Sequence, residues 1–76
     1  MRSARIVVIG ASAGGLRALQ QFMEAVPADS GLAFVVIIHL DPDRESRMSE
    51  LLQDRATIPV AQVSGSVVVE ANHIYI

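Results

Sequence analysis

A serine and a histidine stand where two neighbouring strands of a predicted sheet end. Ser12 lies in the segment VVIGASAGGL, residues 7–16, and His39 directly follows the apolar run at 32–38. The carboxyl ends of adjacent parallel strands lie at one edge of a sheet, so the two side chains can meet there. A serine hydroxyl activated by a histidine base is a nucleophile for acyl transfer. The pair therefore predicts a serine hydrolase.

The small residues around Ser12 support this prediction. Residues 10–14, GASAG, fit the pattern GxSxG, in which a serine stands on a tight turn between a strand and a helix. Small neighbours suit such a turn, because we expect its backbone to be strained and the flanking elements to crowd it. The helix that follows directs its N-terminal amides toward the turn, and those amides can hold an oxyanion. The pattern by itself is common, and the histidine that ends the next strand makes it more specific.

Two other interpretations of the same glycines stay open. In a dinucleotide-binding GxGxxG loop, Gly10, Ser12 and Gly15 would take the three glycine positions, but the middle one is a serine. The acidic residue expected at the end of the second strand is also absent, since His39 stands there with Asp41 just beyond. In the other interpretation Ser12 only caps the helix, the glycines only allow tight packing, and His39 is a half-exposed polar residue.

The hydrophobic pattern predicts the elements that position these residues. Residues 5–9, which are apolar after Arg5, and residues 32–38 do not alternate with polar residues, which is typical of parallel strands covered on both faces. Between them, apolar residues recur every three or four positions and predict a helix that ends at Pro27. The apolar face of that helix consists of Leu16, Leu19, Phe22, Met23 and Val26.

The predicted order of elements is β-α-β-α-β-β, with short connections. The second helix begins in DPDRES, residues 41–46, where Pro42 suits the first turn, and its apolar stripe contains Met48, Leu51 and Leu52. The alternating segment 59–63 predicts a strand nearer a sheet edge. This order favours an α/β fold, a doubly wound, mainly parallel open sheet with flanking helices. Because residues 73–76 begin another strand, we expect residues 1–76 to be the N-terminal portion of a longer domain, which is incomplete here.

Composition excludes several classes of function. The chain has 76 residues, no cysteine and a net charge of −2. Disulfides and thiolate metal sites are excluded, and His39 and His73 show no metal-ligand spacing, so no metal or cofactor is expected. The charge gives no reason to expect nucleic acid as a partner. The longest apolar run is too short for membrane insertion and no export signal is recognisable, so we expect a cytoplasmic protein.

Longer stretches of the chain resemble one family. VVIGASAGGL, FVVIIHLDP and IPVAQVSGSVVVEANHIYI are similar to the catalytic domain of the chemotaxis protein-glutamate methylesterase (CheB) family. The resemblance covers nearly the whole chain, and its most specific parts are IGASAGG and HL. The stretch PADSGLAFVVIIHLDPDRES especially resembles the methylesterase half of hybrid proteins that join methylesterase and methyltransferase domains.

The resemblance implies a serine hydrolase with Ser12 as the nucleophile and His39 as the general base. Its substrate would be a glutamyl methyl ester on a chemoreceptor, with deamidation of a receptor glutamine as a second activity. The backbone N–H of Ala13 would donate to the oxyanion. Many family members have threonine at that position, and alanine removes its hydroxyl. The implied partners are a chemoreceptor and a fused or separate methyltransferase.

The resemblance also implies a residue that does not occur in this chain. The third triad member of the family is an aspartate in a later glycine-rich motif, expected beyond Ile76, and Asp41, Asp43 and Asp54 do not match it. We therefore expect residues 1–76 alone to be inactive. Phosphorylation control, as in other chemotaxis signalling, would come from outside these residues or be absent. A nucleotide-binding module and an inactive remnant stay as alternatives, and His73 is expected to be structural.

Overall fold

A four-stranded parallel sheet is the frame of the molecule. The computed structural model describes residues 5–39 and 41–76, so Leu40, part of the HL pair, lies outside the described residues. The elements in chain order are β1 (Arg5–Ala11), a 3-10 helix (Ala13–Gly15), α1 (Leu16–Ala25), β2 (Leu32–Ile38), α2 (Pro42–Arg55), β3 (Val60–Ala61) and β4 (His73–Tyr75). The strand order is β1-β2-β4-β3, and each neighbouring pair is parallel. The α/β class, the order of elements and the edge position of the third strand are confirmed.

Both helices pack on the same face of the sheet. Alternate residues of the strands point toward them, so Val7 and its register partner Phe34 lie on the helix side, and Ile74 continues the row. The buried core consists of Leu19, Met23, Val26, Phe34, Val36, Leu52, Ile58 and Ile74. The apolar faces predicted from helical spacing supply the α1 and α2 members of this set, because only the stripe turned to the sheet is buried.

The second face of the sheet is covered only in part. Ile6 and Val8 of β1 are 52% and 61% exposed, and Ile37 of β2 is 61% exposed. Tyr75 lies on the same face but is buried, and its hydroxyl donates to the Val68 carbonyl and accepts from the Glu70 amide. The expectation that β1 is covered on both faces is not met among the described residues, because both described helices pack on the other face of the sheet. Helices on both faces, as in a doubly wound sheet, stay a prediction.

Side chains of α2 and its flanks hold the short edge strand in place. The side-chain Nε2 of Gln53 donates to the Ile58 carbonyl (3.2 Å), and its Oε1 accepts from the backbone amide of Val60 (2.7 Å). One side chain therefore fixes the entry into β3. The Thr57 hydroxyl donates to the Val26 carbonyl (2.7 Å) and joins the ends of the two helices. At the other end of α2, Pro42 occupies the first turn as predicted.

Asn72 sets the start of β4 beside β2. Its φ of 61° lies in the left-handed region, which asparagine tolerates better than most side chains. Its Oδ1 accepts a hydrogen bond from the Gly31 amide (2.8 Å), and its own amide donates to the Leu32 carbonyl (2.8 Å). One residue therefore joins the turn before β2 to the turn before β4.

We expect Asn72→Ala to lower the free energy of unfolding of the protein that carries this chain by about 1–2 kcal/mol. Alanine is strained at this φ and leaves the Gly31 amide without its acceptor. Asn72→Gly loses the same hydrogen bond but relieves the strain, so it should cost less. Urea unfolding of the three proteins measures both effects, and equal stability of the alanine variant and the natural protein would contradict the prediction.

Candidate active site

Ser12 is the first residue after β1 and stands outside the sheet. Its φ of −90° and ψ of 166° are ordinary extended values, and its carbonyl accepts a hydrogen bond from the Gly15 amide (2.9 Å). Gly10, Gly14 and Gly15 are also absent from the residues with positive φ. The expectation of a strained turn is wrong here, because the 3-10 helix distributes the change of chain direction over three residues.

The Ser12 hydroxyl is not used as a helix cap. Ser12 is exposed and makes no side-chain capping bond to the 3-10 helix it precedes. Tight packing does not explain the glycines either, since a Cβ at Gly10 or Gly14 would meet no atom within 4 Å. A Cβ at Gly15 would make only ordinary 3.8 Å contacts. The capping and packing parts of the structural interpretation are therefore wrong among the described residues, whereas its third part, His39 as a partly exposed polar residue, is not contradicted, since His39 is exposed.

The amides that follow Ser12 lie at the start of the 3-10 helix. Ala13 and Gly14 open the 3-10 helix, whose first hydrogen bond runs from the Gly15 amide to the Ser12 carbonyl. The first amides of a helix have no carbonyl partner within it and direct their N–H bonds outward. If Ser12 Oγ attacked a carbonyl carbon, backbone N–H donors would therefore be close in the chain to the substrate oxygen that becomes the oxyanion.

His39 leaves the sheet beside Ser12. Ala11 and Ile38 are the last register pair of β1 and β2, and Ser12 and His39 are the next residue on each strand. Neighbouring strands are separated by about 5 Å, so the two backbones leave the same edge side by side. Both residues are exposed, and no hydrogen bond joins their side chains. The structure brings the pair to one edge as the sequence predicts, and their catalytic roles stay predictions.

The acidic residues near His39 have other partners or positions. Asp41 caps α2 by accepting from the Arg44 amide (3.0 Å), and its second oxygen lies 3.7 Å from the Arg44 Nε. Asp43 and Asp54 are exposed on α2. Among the described residues, no carboxylate is hydrogen-bonded to His39. The orienting carboxylate of a triad therefore stays an expectation for residues beyond Ile76.

His73 lies at the opposite end of the sheet. It pairs in register with Ala33 of β2. His39 follows Ala33 by six residues, which corresponds to about 20 Å along the strand. The Nδ1 of His73 lies 2.8 Å from the Ala71 carbonyl, its Nε2 lies 3.8 Å from Glu70, and its ring stacks on Tyr75. These contacts hold the segment before β4, so the structure agrees with the structural role expected for His73.

An apolar cavity that the motifs did not predict lies next to Ser12. It has a volume of about 580 Å³, and its lining residues are Val7, Ile9, Gly10, Ala11, Ser12, Gly15, Ala18, Leu19 and Phe22. It lies between the unpaired edge of β1 and α1. The missing side chain of Gly15 helps to leave this space open, since a Cβ there would lie 3.8 Å from the Ala11 Cβ and the Ser12 Oγ. The sequence pattern gives no signal for a cavity of this kind.

The described residues contain no group of three histidine, aspartate or glutamate side chains that could hold a metal ion. Neither α1 nor α2 is long and apolar enough to cross a bilayer within the described part of the chain.

Comparisons with known proteins agree on one family. The family model described as CheB methylesterase matches residues 7–76. A protein-glutamate methylesterase/protein-glutamine glutaminase 2 of Cupriavidus metallidurans is 45% identical over 56 residues, which cover 74% of this chain and 17% of that protein. The corresponding protein of Trichodesmium erythraeum is 32% identical over 71 residues, covering 93% of this chain and 20% of that protein. A Pseudomonas aeruginosa relative, number 3 of that name, is 38% identical over 56 residues, covering 74% and 17%.

In each of these comparisons, the covered fraction of this chain is much larger than the covered fraction of the relative. The matched segments take up most of this chain, whereas the chain spans a fifth or less of each curated relative. The family model nevertheless runs from the middle of β1 to the last residue, through both candidate catalytic positions. On this evidence, the chain belongs to the CheB methylesterase family.

Proposed function

We propose that the protein carrying this chain hydrolyses glutamyl methyl esters, and the amide of glutamine, on a protein substrate. Ser12 is the nucleophile, His39 is the general base, and the Ala13 N–H is an oxyanion donor. The relatives are named as methylesterases and glutaminases, which are two outcomes of the same acyl-transfer chemistry. The carboxylate that orients His39 comes from outside residues 1–76, so this fragment alone is inactive.

The reaction divides into two steps around Ser12. Ser12 Oγ attacks the side-chain carbonyl and gives its proton to His39, and the tetrahedral oxyanion is held by the amide of Ala13. His39 returns the proton to the leaving group, so methanol departs from an ester and ammonia from an amide. Water then attacks the acyl-enzyme with His39 again as base. The glutamate carboxylate leaves as product, and the Ser12 hydroxyl is regenerated.

One observation carries this proposal: Ser12 and His39 follow the last register pair of two adjacent parallel strands. The exposed hydroxyl of Ser12 makes no capping bond, so it is free to react. A phosphate-binding loop is less well supported, because Ser12 replaces its middle glycine and Asp41 is committed to capping α2.

The partners follow from the family. Membership of the CheB family implies that the substrate is a chemoreceptor. Its glutamyl methyl esters are made by a methyltransferase, which then acts in the same compartment. We propose the cytoplasm as that compartment. Fusion to the methyltransferase, which the stretch at 27–46 suggests by resemblance, stays a prediction.

Covalent labelling tests the proposed pair directly. A fluorophosphonate should phosphonylate Ser12 in the full-length protein, with loss of fluoride, and the adduct should be found by mass spectrometry on the peptide that contains residue 12. His39→Gln removes the base and should slow labelling about 10²- to 10⁴-fold.

His73→Gln is the matched control, because it removes the other histidine at the opposite end of the sheet. It should leave the labelling rate unchanged. Labelling on another serine, or a rate that is indifferent to His39, would overturn the assignment of the pair.

A further inference from the structure

Arg17 is a cation near Ser12 that the fold does not use. It stands in the first turn of α1, is exposed, and has no carboxylate within ion-pair distance among the described residues. Of the other described arginines, Arg44 and Arg55 pair with Asp41 and Glu24, whereas Arg5 and Arg47, like Arg17, form no ion pair with a described residue.

The position of Arg17 is electrostatically unfavourable for the folded chain. The N-terminal end of a helix carries a partial positive charge, which favours acidic side chains and disfavours a cation. The first turn of α1 contains no acidic residue to compensate. Arg17 therefore costs α1 some stability and makes no hydrogen bond or ion pair within the described residues in return.

Gly14, which lies between Ser12 and Arg17 in the chain, adds no side chain to the surface there. Gly14 lies three residues before Arg17, which places the two on one side of the helical turn. Gly14 is exposed, and a Cβ added there would meet no atom within 4 Å. A substrate chain bound at Ser12 can therefore lie against the backbone at Gly14 and extend to the Arg17 guanidinium.

We propose that Arg17 binds a carboxylate that neighbours the reacting ester or amide in the protein substrate. This inference rests on the proposed function, and it deepens it by naming the feature of the substrate that is recognised. The product of the reaction is itself a glutamate, so a substrate with several modified positions presents carboxylates beside its remaining esters. A guanidinium can bind a carboxylate through two parallel hydrogen bonds. The chain as a whole carries a net charge of −2, so attraction for an acidic substrate has to be local.

Steady-state kinetics of the full-length protein on a methyl-esterified chemoreceptor test this role. Arg17→Gln should raise KM about fivefold and leave kcat unchanged, because an exposed ion pair contributes to binding and not to the chemical step. Arg17→Lys keeps the charge and should recover most of the affinity. The difference should shrink at high salt, since exposed charges are screened.

Two further measurements separate recognition from a structural role. A small neutral ester such as p-nitrophenyl acetate should be hydrolysed equally by the natural protein and Arg17→Gln. The Tm of Arg17→Gln should be equal or higher, because an unfavourable charge is removed from the helix start. Arg55→Gln removes the same charge at the far end of the molecule, where Arg55 pairs with Glu24, and should leave KM unchanged.

The proposal is overturned if Arg17→Gln leaves the KM for the receptor unchanged, or if it lowers turnover of the neutral ester as much as that of the receptor. An equal rise of KM in Arg55→Gln would also overturn it, because the effect would then report overall charge. Ser12→Ala distinguishes this failure from failure of the proposed function. An inactive Ser12→Ala beside an unaffected Arg17→Gln contradicts the role of Arg17 alone, whereas an active Ser12→Ala contradicts the proposed function itself.

Discussion

Replacing Ser12 with alanine should lower kcat/KM for receptor methyl-ester hydrolysis by about 10⁴-fold or more in the full-length protein. Alanine has no oxygen with which to form the acyl-enzyme, so the two-step route is closed. The turn should keep its shape, because the Ser12 hydroxyl makes no capping bond and its backbone is in an ordinary extended conformation. Release of methanol from the esterified receptor measures the loss, and an unchanged Tm shows that the fold is intact.

Ser66→Ala is the matched control for this substitution. Ser66 is exposed in the segment between β3 and β4, so losing its hydroxyl should leave hydrolysis unchanged. Activity in Ser12→Ala within tenfold of the natural protein would show that another residue is the nucleophile. The small activity that is expected to remain comes from substrate binding and the backbone oxyanion donors, which the substitution does not touch.

Replacing Phe34 with alanine should lower the free energy of unfolding by about 3–5 kcal/mol. Phe34 is 1% exposed at the centre of β2, with Val7 and Ile74 as its register partners. Its ring also meets that of Phe22 edge to face, with centroids 6.0 Å apart. Alanine would lose this burial and leave a cavity beneath both helices. Urea unfolding of the protein that carries this chain measures the loss.

Phe22→Ala removes the other ring of the pair and serves as the comparison. Phe22 is 48% exposed, so its replacement removes less buried apolar surface and should cost clearly less stability than Phe34→Ala. Equal costs for the two variants, or a cost below about 1 kcal/mol for Phe34→Ala, would contradict the central position of Phe34 in the core.

The helices and most of their buried faces could be predicted from the sequence because helical spacing is a local signal, but Phe22 and Leu51 of the predicted faces are 48% and 40% exposed. Leu19, Met23 and Val26 recur at intervals of four and three, and all three are buried against the sheet. Pro42 at the start of α2 is equally local, since its fixed φ suits a first helical turn.

The environment of β1 could not be predicted in this way. Its apolar residues favour burial on both faces, yet Ile6 and Val8 are exposed because both described helices pack on the other face of the sheet. Strand order depends on pairing between residues far apart in the chain, and an apolar segment does not indicate which strand it pairs with.

The sequence by itself determined which residues can do chemistry in this protein and where each stands in its element. Ser12 after one strand and His39 after the next follow from apolar runs and the turn residues that end them. Only the tertiary structure decided that β1 and β2 pair directly, with Ala11 opposite Ile38, and so brought the two side by side. It also showed that the Ser12 hydroxyl makes no capping bond and that Arg17 is without a carboxylate partner among the described residues. The physical reason is that register and ion pairing are set by non-local contacts, whereas turns and helix faces are set by residues within a few positions of one another.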